Sequence, residues 1–298
     1  MPPHPYLLRP LVAIGIIAIS FASILIRLAE APSLAIATYR VALASVLLTP
    51  YFFLKAPATR PKWSIQLVGV TSLSGFFLAL HFAFWIRSLQ LTSVASSATL
   101  VSTTPFFVAL FARFCFGERL SRIAWFGIFL VLTGSGLIAG TDYHFSNDAL
   151  AGDFLAMAGA LAASGYLLAG RFVRRYLDLT AYALGSYGTA ALFLIAFTGF
   201  SATPLSGFSN QTYLIFILLA VIPQLIGHTT FNWTLKFLSP TTVAVLILGE
   251  PIGATILAYL FFGERLSLLK ALGLFILGSG MVLSTATAPS ASADQVTE

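Results

Sequence analysis

The sequence predicts an all-α integral membrane protein of ten transmembrane helices. Composition is the first reason, because the 298 residues are 58% hydrophobic and only 9% charged, and the mean hydropathy is +0.93. A soluble domain of this length needs far more charge to cover its surface, so most apolar side chains must face lipid. Pattern is the second reason. The apolar residues form continuous runs rather than alternating with polar ones, which favours helices over the strands of a barrel.

Ten apolar segments are separated by short polar breaks. Each is close to the length that about 30 Å of hydrocarbon requires at a helical rise of about 1.5 Å per residue. The predicted spans are 7–28, 33–54, 65–89, 94–116, 123–140, 150–170, 180–200, 212–235, 241–262 and 268–285. Residues 286–298 form a short polar tail that we expect to be disordered. The first run is too long for a signal peptide and is read as a retained helix.

An internal repeat divides the chain into two halves, 7–140 and 150–285. The motif Phe-Gly-Glu-Arg-Leu-Ser starts at Phe116 and begins again 146 residues later, at Phe262 (262 against 116). The same offset pairs Pro105 with Pro251, Gly127 with Gly273 and Gly134 with Gly280, and a slightly drifted frame pairs His81 with His228. Each half has five spans, an odd number, so the second half enters the bilayer inverted. Inverted repeats are typical of secondary transporters.

Basic residues predict the orientation. With the N-terminus in the cytoplasm, eleven lysines and arginines fall on the inner side and four on the outer side, which the positive-inside rule favours. The inner set is Arg9, Lys55, Arg60, Lys62, Arg113, Arg119, Arg122, Arg171, Arg174, Arg175 and Lys236, and the outer set is Arg27, Arg87, Arg265 and Lys270. Ten spans then return the C-terminus to the cytoplasm as well.

Several short motifs resemble those of EamA-type members of the drug/metabolite transporter superfamily. They are Phe116-Gly117-Glu118-Arg119-Leu120 and its copy at 262–266, Ala37-Thr38-Tyr39-Arg40, Gly152-Asp153 and Gly249-Glu250-Pro251. The resemblance covers about residues 11–283. It implies a 5+5 inverted fold and export of metabolites or drugs across the bacterial inner membrane. Bacterial exporters of amino acids, including aromatic ones, look nearest. The first half has Thr103-Thr104-Pro105 where the second has Gly-Glu-Pro, so the halves are not equivalent.

Two charged residues lie clearly inside predicted spans. Arg40 is in the second span and Glu250 in the ninth, and helical rise puts them within about a turn of each other in depth. Charges in hydrocarbon are costly and usually functional. One reading is a site for substrate or protons, and the other is a buried ion pair that joins the two halves. Both readings stay open.

Polar and aromatic side chains extend the candidate site. Phe77, His81 and Trp85 share one helical face of the third span, and Gln224, His228 and Asn232 share one face of the eighth. A polar stripe on a membrane helix should face protein or water, either as a cavity lining or as interhelical hydrogen bonds. Tyr39, beside Arg40, could pack a substrate side chain together with these rings. Weaker candidates are Ser20, Ser23, Thr99, Thr103, Ser164 and Tyr166. The hydroxyls among them often bond within their own helix instead.

Other conspicuous features have structural readings. Glu118-Arg119 and its copy sit at span ends, where we expect turn and interface anchors. The glycines of Gly134-Ser135-Gly136 and Gly278-Ser279-Gly280 predict close helix packing or a seam between two copies, so a homodimer is an open alternative. The two histidines are far apart in depth and the chain has one cysteine, so we expect no metal and no cofactor.

The predicted function is secondary transport of small metabolites, most of all amino acids of broad side-chain type. A zwitterion could match Arg40 and Glu250 together. A multidrug exporter of lipophilic cations is the main alternative, and an intramembrane enzyme is a third. The chain contains no His-Glu-x-x-His, no Gly-x-Ser-x-Gly and no Walker motif. The net charge of +6 is spread between apolar runs, so the expected surroundings are membrane lipid and not nucleic acid.

Overall fold

The computed structural model describes residues 5–54, 62–92, 94–140, 146–263 and 267–286. Within these ranges the chain is helical between its turns and contains no β-strand. The helices are α1 Pro5–Leu28, α2 Ser33–Leu54, α3 Ile65–Leu91, α4 Val94–Val101, α5 Thr104–Phe116, α6 Arg122–Gly140, α7 Asn147–Val173, α8 Leu179–Phe200, α9 Asn210–Leu219, a π-helical segment Ala220–His228, α10 Thr229–Thr234, α11 Pro240–Ile247, α12 Gly249–Phe262 and α13 Leu268–Ala286. The predicted tail beyond 286 and residues 264–266 of the repeated motif lie outside the described ranges.

Eight helical stretches of the described chain are long and apolar enough to cross a bilayer. They are Leu7–Leu28, Ser33–Leu54, Ile65–Leu91, Asn147–Val173, Leu179–Phe200, Asn210–Thr234, Pro240–Phe262 and Leu268–Ala286. Two shorter apolar helices, Thr104–Phe116 and Arg122–Ile138, fall in the predicted fourth and fifth spans. The chain is therefore an all-helical, multi-pass membrane protein. The count of ten crossings stays a prediction.

The fourth and ninth predicted spans are each broken rather than continuous. The fourth divides into α4 and α5 around Thr103, and the ninth divides into α11 and α12 at Leu248. The matched prolines Pro105 and Pro251 follow the breaks, and proline cannot donate the backbone hydrogen bond that would continue the preceding turn. In the first half the hydroxyls of residues 102–104 donate to carbonyl oxygens of α4. These bonds satisfy backbone acceptors near the break.

The two copies of the repeated motif end their helices in the same way. Gly117 follows α5 with φ of 66°, and Gly263 follows α12 with φ of 65°. This left-handed conformation is strained for residues with a Cβ atom, so glycine is the favoured residue at both helix ends. The repeat seen in the sequence is thus a repeat of structure at these positions.

Side-chain contacts define two ends of the helix bundle. At the basal end Ser239 bonds Glu118, and Arg171 Nη1 donates to the carbonyl of Leu235. These contacts join the end of α5 to the start of α11 and the end of α7 to the end of α10. At the apical end the Arg27 guanidinium lies 4.7 Å from the centre of the Phe262 ring, and Thr92 donates to Asp153. Between the ends, α3 packs mainly on α7, α6 on α13 and α2 on α8.

The eighth predicted span changes helix type within the bundle. Its middle, Ala220–His228, is π-helical and contains Pro223. A proline leaves the carbonyl one turn earlier without its usual donor, and a wider turn is one way for the chain to accommodate this. The repeat mate in the first half, around His81, lies in the regular α-helix α3. The two halves therefore differ in backbone geometry at matched positions.

Repeated glycines form the contact between α6 and α13. A Cβ atom on Gly134 would lie 2.5 Å from the Leu277 nitrogen, and one on Gly280 would lie 2.5 Å from the Gly127 oxygen. Gly127 and Gly134 are the repeat mates of Gly273 and Gly280, and the contacts are crossed: Gly127 packs on Gly280, and Gly134 packs on Gly273. Packing within the chain accounts for these glycines, as small residues let membrane helices approach closely.

Gly134→Ala is expected to destabilise the protein by about 1–3 kcal/mol, because the new methyl group would overpack against the backbone of α13. The measurement is the thermal midpoint Tm of the purified protein in detergent. Gly136→Ala is the matched control on the same helix, since a Cβ atom at Gly136 meets nothing within 4 Å. Equal Tm values for the two variants would contradict this packing.

Candidate functional site

A cavity of about 90 Å³ lies between the two halves, and its wall is mostly apolar with a few polar and charged side chains. Helices α1 to α5 of the first half and α7, α10, α11 and α12 of the second contribute to its wall, as does the last residue of the π-helical segment. The polar and aromatic lining residues are Ser23, Arg40, His81, Trp85, Ser102, Thr104, Tyr166, His228, Phe231 and Glu250. Ligand pockets are commonly about 300–1,000 Å³. The cavity is therefore smaller than a typical ligand pocket, and a bound metabolite would need the wall to widen.

Arg40 is the dominant charge of this cavity. Its side chain has no exposed surface. Its Nε–H donates to Gln224 Oε1 at 2.8 Å, and its guanidinium lies 4.2 Å from the centre of the Phe82 ring. Nη1 and Nη2 are buried and have no hydrogen-bond partner. A buried cation with unpaired donors is costly, and an anionic ligand group would relieve that cost.

Glu250 lies in the first turn of α12, directly after the break at Leu248. The break turns its side chain into the wall that also holds Arg40, and a carboxylate is favoured in the first turn of a helix. No hydrogen bond joins the two residues, because Arg40 bonds only Gln224. The structure thus brings the two predicted charges to one cavity without the direct ion pair that the structural reading required.

The histidines and Trp85 form an aromatic part of the wall. His81 Nδ1–H donates to the Gly159 carbonyl at 3.0 Å. When the ring is neutral, this bond leaves Nε2 as an acceptor. The His81 ring stacks on Trp85 with centroids 5.8 Å apart and an interplanar angle of 6°. His228 meets Phe82 edge-on at 5.5 Å. These rings can pack an apolar or aromatic side chain beside the charged groups.

Other predicted site residues lie away from the cavity wall. Tyr39 donates to the Leu205 carbonyl and stacks on Phe216 at 4.5 Å, because it faces α9 and not the centre. Phe77 fills the space beside Gly165. Thr103 bonds a carbonyl of its own helix turn. The side chain of Thr99 lies outside the described part of the chain, and Gln224 sits behind Arg40.

A buried hydrogen-bond network runs from the cavity toward the basal end. Tyr166 donates to Asn232 Oδ1 at 2.6 Å, and Asn232 Nδ2 donates to Tyr187 at 3.0 Å. Tyr187 is 3.0 Å from Thr229 Oγ1, and Arg174 donates to the Asn232 carbonyl. The sequence patterns do not single out Tyr187, although the repeat frame that pairs His81 with His228 also pairs Arg40 with Tyr187. The network ties α7, α8 and α10 together beneath the cavity.

Glu118 at the basal end links the halves. Ser239 Oγ donates to Glu118 Oε1 at 2.8 Å, and Ser239 also caps the start of α11. Burial raises the pKa of Glu118, and this outweighs the hydrogen bond of Ser239 and the charge of Arg171, which lower it. Oε2 is buried without a partner. The predicted interface anchor is therefore a contact between α5 and α11.

Metal binding finds no support in the described ranges, where no group of three or more His, Cys, Asp and Glu side chains is placed to hold an ion. A multi-pass helical protein with a cavity between two repeated halves has an arrangement typical of secondary transporters.

Comparison with known proteins gives the family. The sequence matches the EamA-like transporter family twice, over residues 8–140 and 150–286. This chain belongs to the EamA-like transporter family, and it is thus a membrane-embedded transporter with a small-molecule substrate.

The similar proteins span most of the chain. An uncharacterized transporter of Archaeoglobus fulgidus is 31% identical over 276 residues, 90% of this chain and 92% of that protein. The uncharacterized transporter YxxF of Bacillus subtilis is 28% identical over 75% of this chain and 71% of its own length. One crystal structure of another protein has the same fold, with a TM-score of 0.76 and 20% identity over 96% of this chain and 99% of that one.

Proposed function

We propose that this protein is a secondary transporter that exports small zwitterionic metabolites, most of all amino acids including aromatic ones. The observation that carries the proposal is the pair of opposite charges in one cavity, Arg40 and Glu250, which do not bond each other. An amino acid carries one charge of each sign and can complement both. The neighbouring rings of His81 and Trp85 accept varied side chains, so we expect broad specificity and weak affinity.

Alternating access between the two halves is the proposed mechanism. Five helices in each half, inverted with respect to each other, can exchange conformations so that the cavity opens to one side at a time. The breaks at Thr103 and Leu248, together with the π-helical segment, are the proposed bending points. Ten crossings, with domains 7–140 and 150–285, belong to this proposal.

We place the protein in the bacterial inner membrane with both termini in the cytoplasm. The basal end then faces the cytoplasm and the apical end faces outward, as the excess of lysine and arginine near basal helix ends favours. Reporter fusions at Glu298 and between Asp142 and Asp148 test this orientation. An active C-terminal reporter of the outer compartment would overturn it.

A transporter of lipophilic cations is the second candidate. A carboxylate beside aromatic rings suits such cations, and Glu250 with Trp85 and Phe231 offers that chemistry. Arg40 in the same wall disfavours it, because a guanidinium repels a cationic substrate. An intramembrane enzyme is a third class, and it would convert its substrate instead of moving it.

Reconstitution into proteoliposomes tests the proposed substrate. Labelled phenylalanine, methionine and threonine are each offered alongside a quaternary ammonium dye, with and without a pH gradient. We expect protein-dependent, saturable flux of the amino acids. Dye flux without any amino-acid flux would establish the multidrug alternative, and chemical conversion of a lipid or peptide would indicate an enzyme.

The Glu118–Ser239 contact is the proposed basal closure, and its pH dependence has a definite sign. The raised pKa of Glu118 means that the closed state binds a proton more tightly than an open state with Glu118 in water. Acidification of the basal side should therefore favour closure, and a rise in pH through that pKa should favour opening. Glu118→Gln should favour closure at every pH. Glu118→Ala removes the acceptor of the Ser239 hydrogen bond, so it should raise the ratio of the open to the closed basal state about fivefold over that of the parent protein.

The measurement uses a cysteine introduced in the cavity wall by Ala244→Cys, in a protein whose native cysteine is removed by Cys115→Ser. The rate at which a thiol reagent added from the basal side labels this cysteine reports basal opening. Glu30→Gln at the apical end is the control and should keep the pH dependence. Identical labelling rates for Glu118→Gln, Glu118→Ala and the parent would contradict a basal closure at this contact.

A further inference from the structure

The bond between Gln224 and Arg40 crosses from the second half to the first. Gln224 lies in the π-helical segment and is fully buried. Its Oε1 accepts only the Nε–H of Arg40, at 2.8 Å. Gln224 itself does not line the cavity. It stands behind the guanidinium, and it can act on a ligand only through Arg40.

The bond determines which edge of the guanidinium is free. A guanidinium can receive a carboxylate along the edge of Nε and one Nη, or along the end formed by Nη1 and Nη2. Gln224 occupies the Nε–H, while Nη1 and Nη2 have no partner. Phe82 lies 4.2 Å from the guanidinium carbon, which restricts the tilt of the plane. The N–H groups of Nη1 and Nη2 therefore remain as donors, side by side at the end of the guanidinium.

The glutamine also leaves the charge of Arg40 in place. As a neutral acceptor it holds Arg40 without neutralising it, and Glu250 lines the same cavity. A carboxylate at this position would pair with Arg40 and remove its attraction for an anionic ligand. The amide is thus the side chain that positions the cation and leaves its charge for the ligand.

We infer that Gln224 is a positioning residue that presents the Nη1–Nη2 end of Arg40 to the carboxylate of the substrate, and so sets the preference for carboxylate-bearing solutes. This inference rests on the proposed function, since it concerns the same cavity. The π-helical segment of the second half would then control substrate choice through Arg40 of the first half. Two parallel N–H donors match the two oxygens of a carboxylate.

Binding of three phenyl compounds to the purified full-length protein tests the inference. Phenylalanine has both charged groups, phenylpropionate has the carboxylate alone, and phenethylamine has the ammonium alone. Gln224→Glu keeps the side-chain volume but neutralises Arg40, and Gln224→Leu removes the acceptor. Each should raise the Kd of phenylpropionate by about tenfold relative to that of phenethylamine, the loss expected when a charge-assisted bond is misaligned or cancelled.

Gln90→Leu is the matched control, because Gln90 accepts a bond from another arginine, Arg87, at the exposed apical surface. It should leave the ratio of the two Kd values unchanged. A purely structural role of Gln224 would weaken binding of all three compounds equally, and that result would overturn the inference. If phenylpropionate binding depended on Gln224 but phenylalanine did not bind, the role of Gln224 would stand and the assignment of amino acids as substrates would be rejected. Binding of phenethylamine alone would reject both.

Discussion

Replacing Arg40 by glutamine is expected to abolish amino-acid transport while leaving Tm unchanged or raised. Arg40 is a fully buried cation that bonds only Gln224, so its removal relieves a desolvation cost without breaking an ion pair. The loss of the substrate's partner should weaken phenylpropionate binding by about 2–5 kcal/mol. Phenethylamine binding should be retained, because it does not need the guanidinium.

The stability measurement separates the two readings of Arg40. If Arg40 served mainly to lock the halves together, Arg40→Gln would lower Tm markedly, and Arg40→Gln with Glu250→Gln would recover it. The described geometry contains no direct bond between the two residues, so we expect no recovery in the double variant. A large fall in Tm for Arg40→Gln that the second substitution restores would contradict the substrate reading.

Glu250→Gln is expected to give the reciprocal result. Glu250 is the carboxylate of the cavity wall and the proposed partner of the substrate ammonium. Its neutralisation should weaken binding of phenylalanine and phenethylamine by about 2–5 kcal/mol. Phenylpropionate should bind as well as before, or better, because the negative charge beside it is gone. Equilibrium binding to each purified variant measures both effects.

A different outcome would assign Glu250 to proton coupling. If Glu250→Gln retained full phenylalanine exchange but lost its dependence on a pH gradient, the carboxylate would carry a proton rather than the ammonium. Thr255→Val, five residues further along α12 where the hydroxyl bonds its own helix, is the control and should behave like the parent.

The charged part of the site could be predicted from the sequence because charges inside membrane helices are rare. Arg40 and Glu250 stand out in apolar runs, and helical rise gives their depth. The aromatic part was harder, since a shared helical face does not fix which neighbour it meets. His81 and Trp85 reach the cavity, but Phe77 on the same face packs beside Gly165 of α7.

Backbone geometry was the least predictable part of the fold. The apolar runs predict crossings, and the matched prolines indicate kinks, but hydropathy does not show that a span divides at Thr103 or Leu248. Nor does it show a π-helical turn at Gln224, whose register places the amide behind Arg40. These features depend on how the freed carbonyls are satisfied by neighbouring side chains, which only the packed structure specifies.

Counterflow in proteoliposomes tests whether the protein carries zwitterions through the cavity that holds Arg40 and Glu250. Vesicles loaded with unlabelled phenylalanine are placed in a trace of labelled phenylalanine. We expect transient accumulation of label above its equilibrium level with the parent protein, and none with Arg40→Gln. Passive equilibration without an overshoot, or overshoot of a quaternary ammonium dye but of no amino acid, would contradict it.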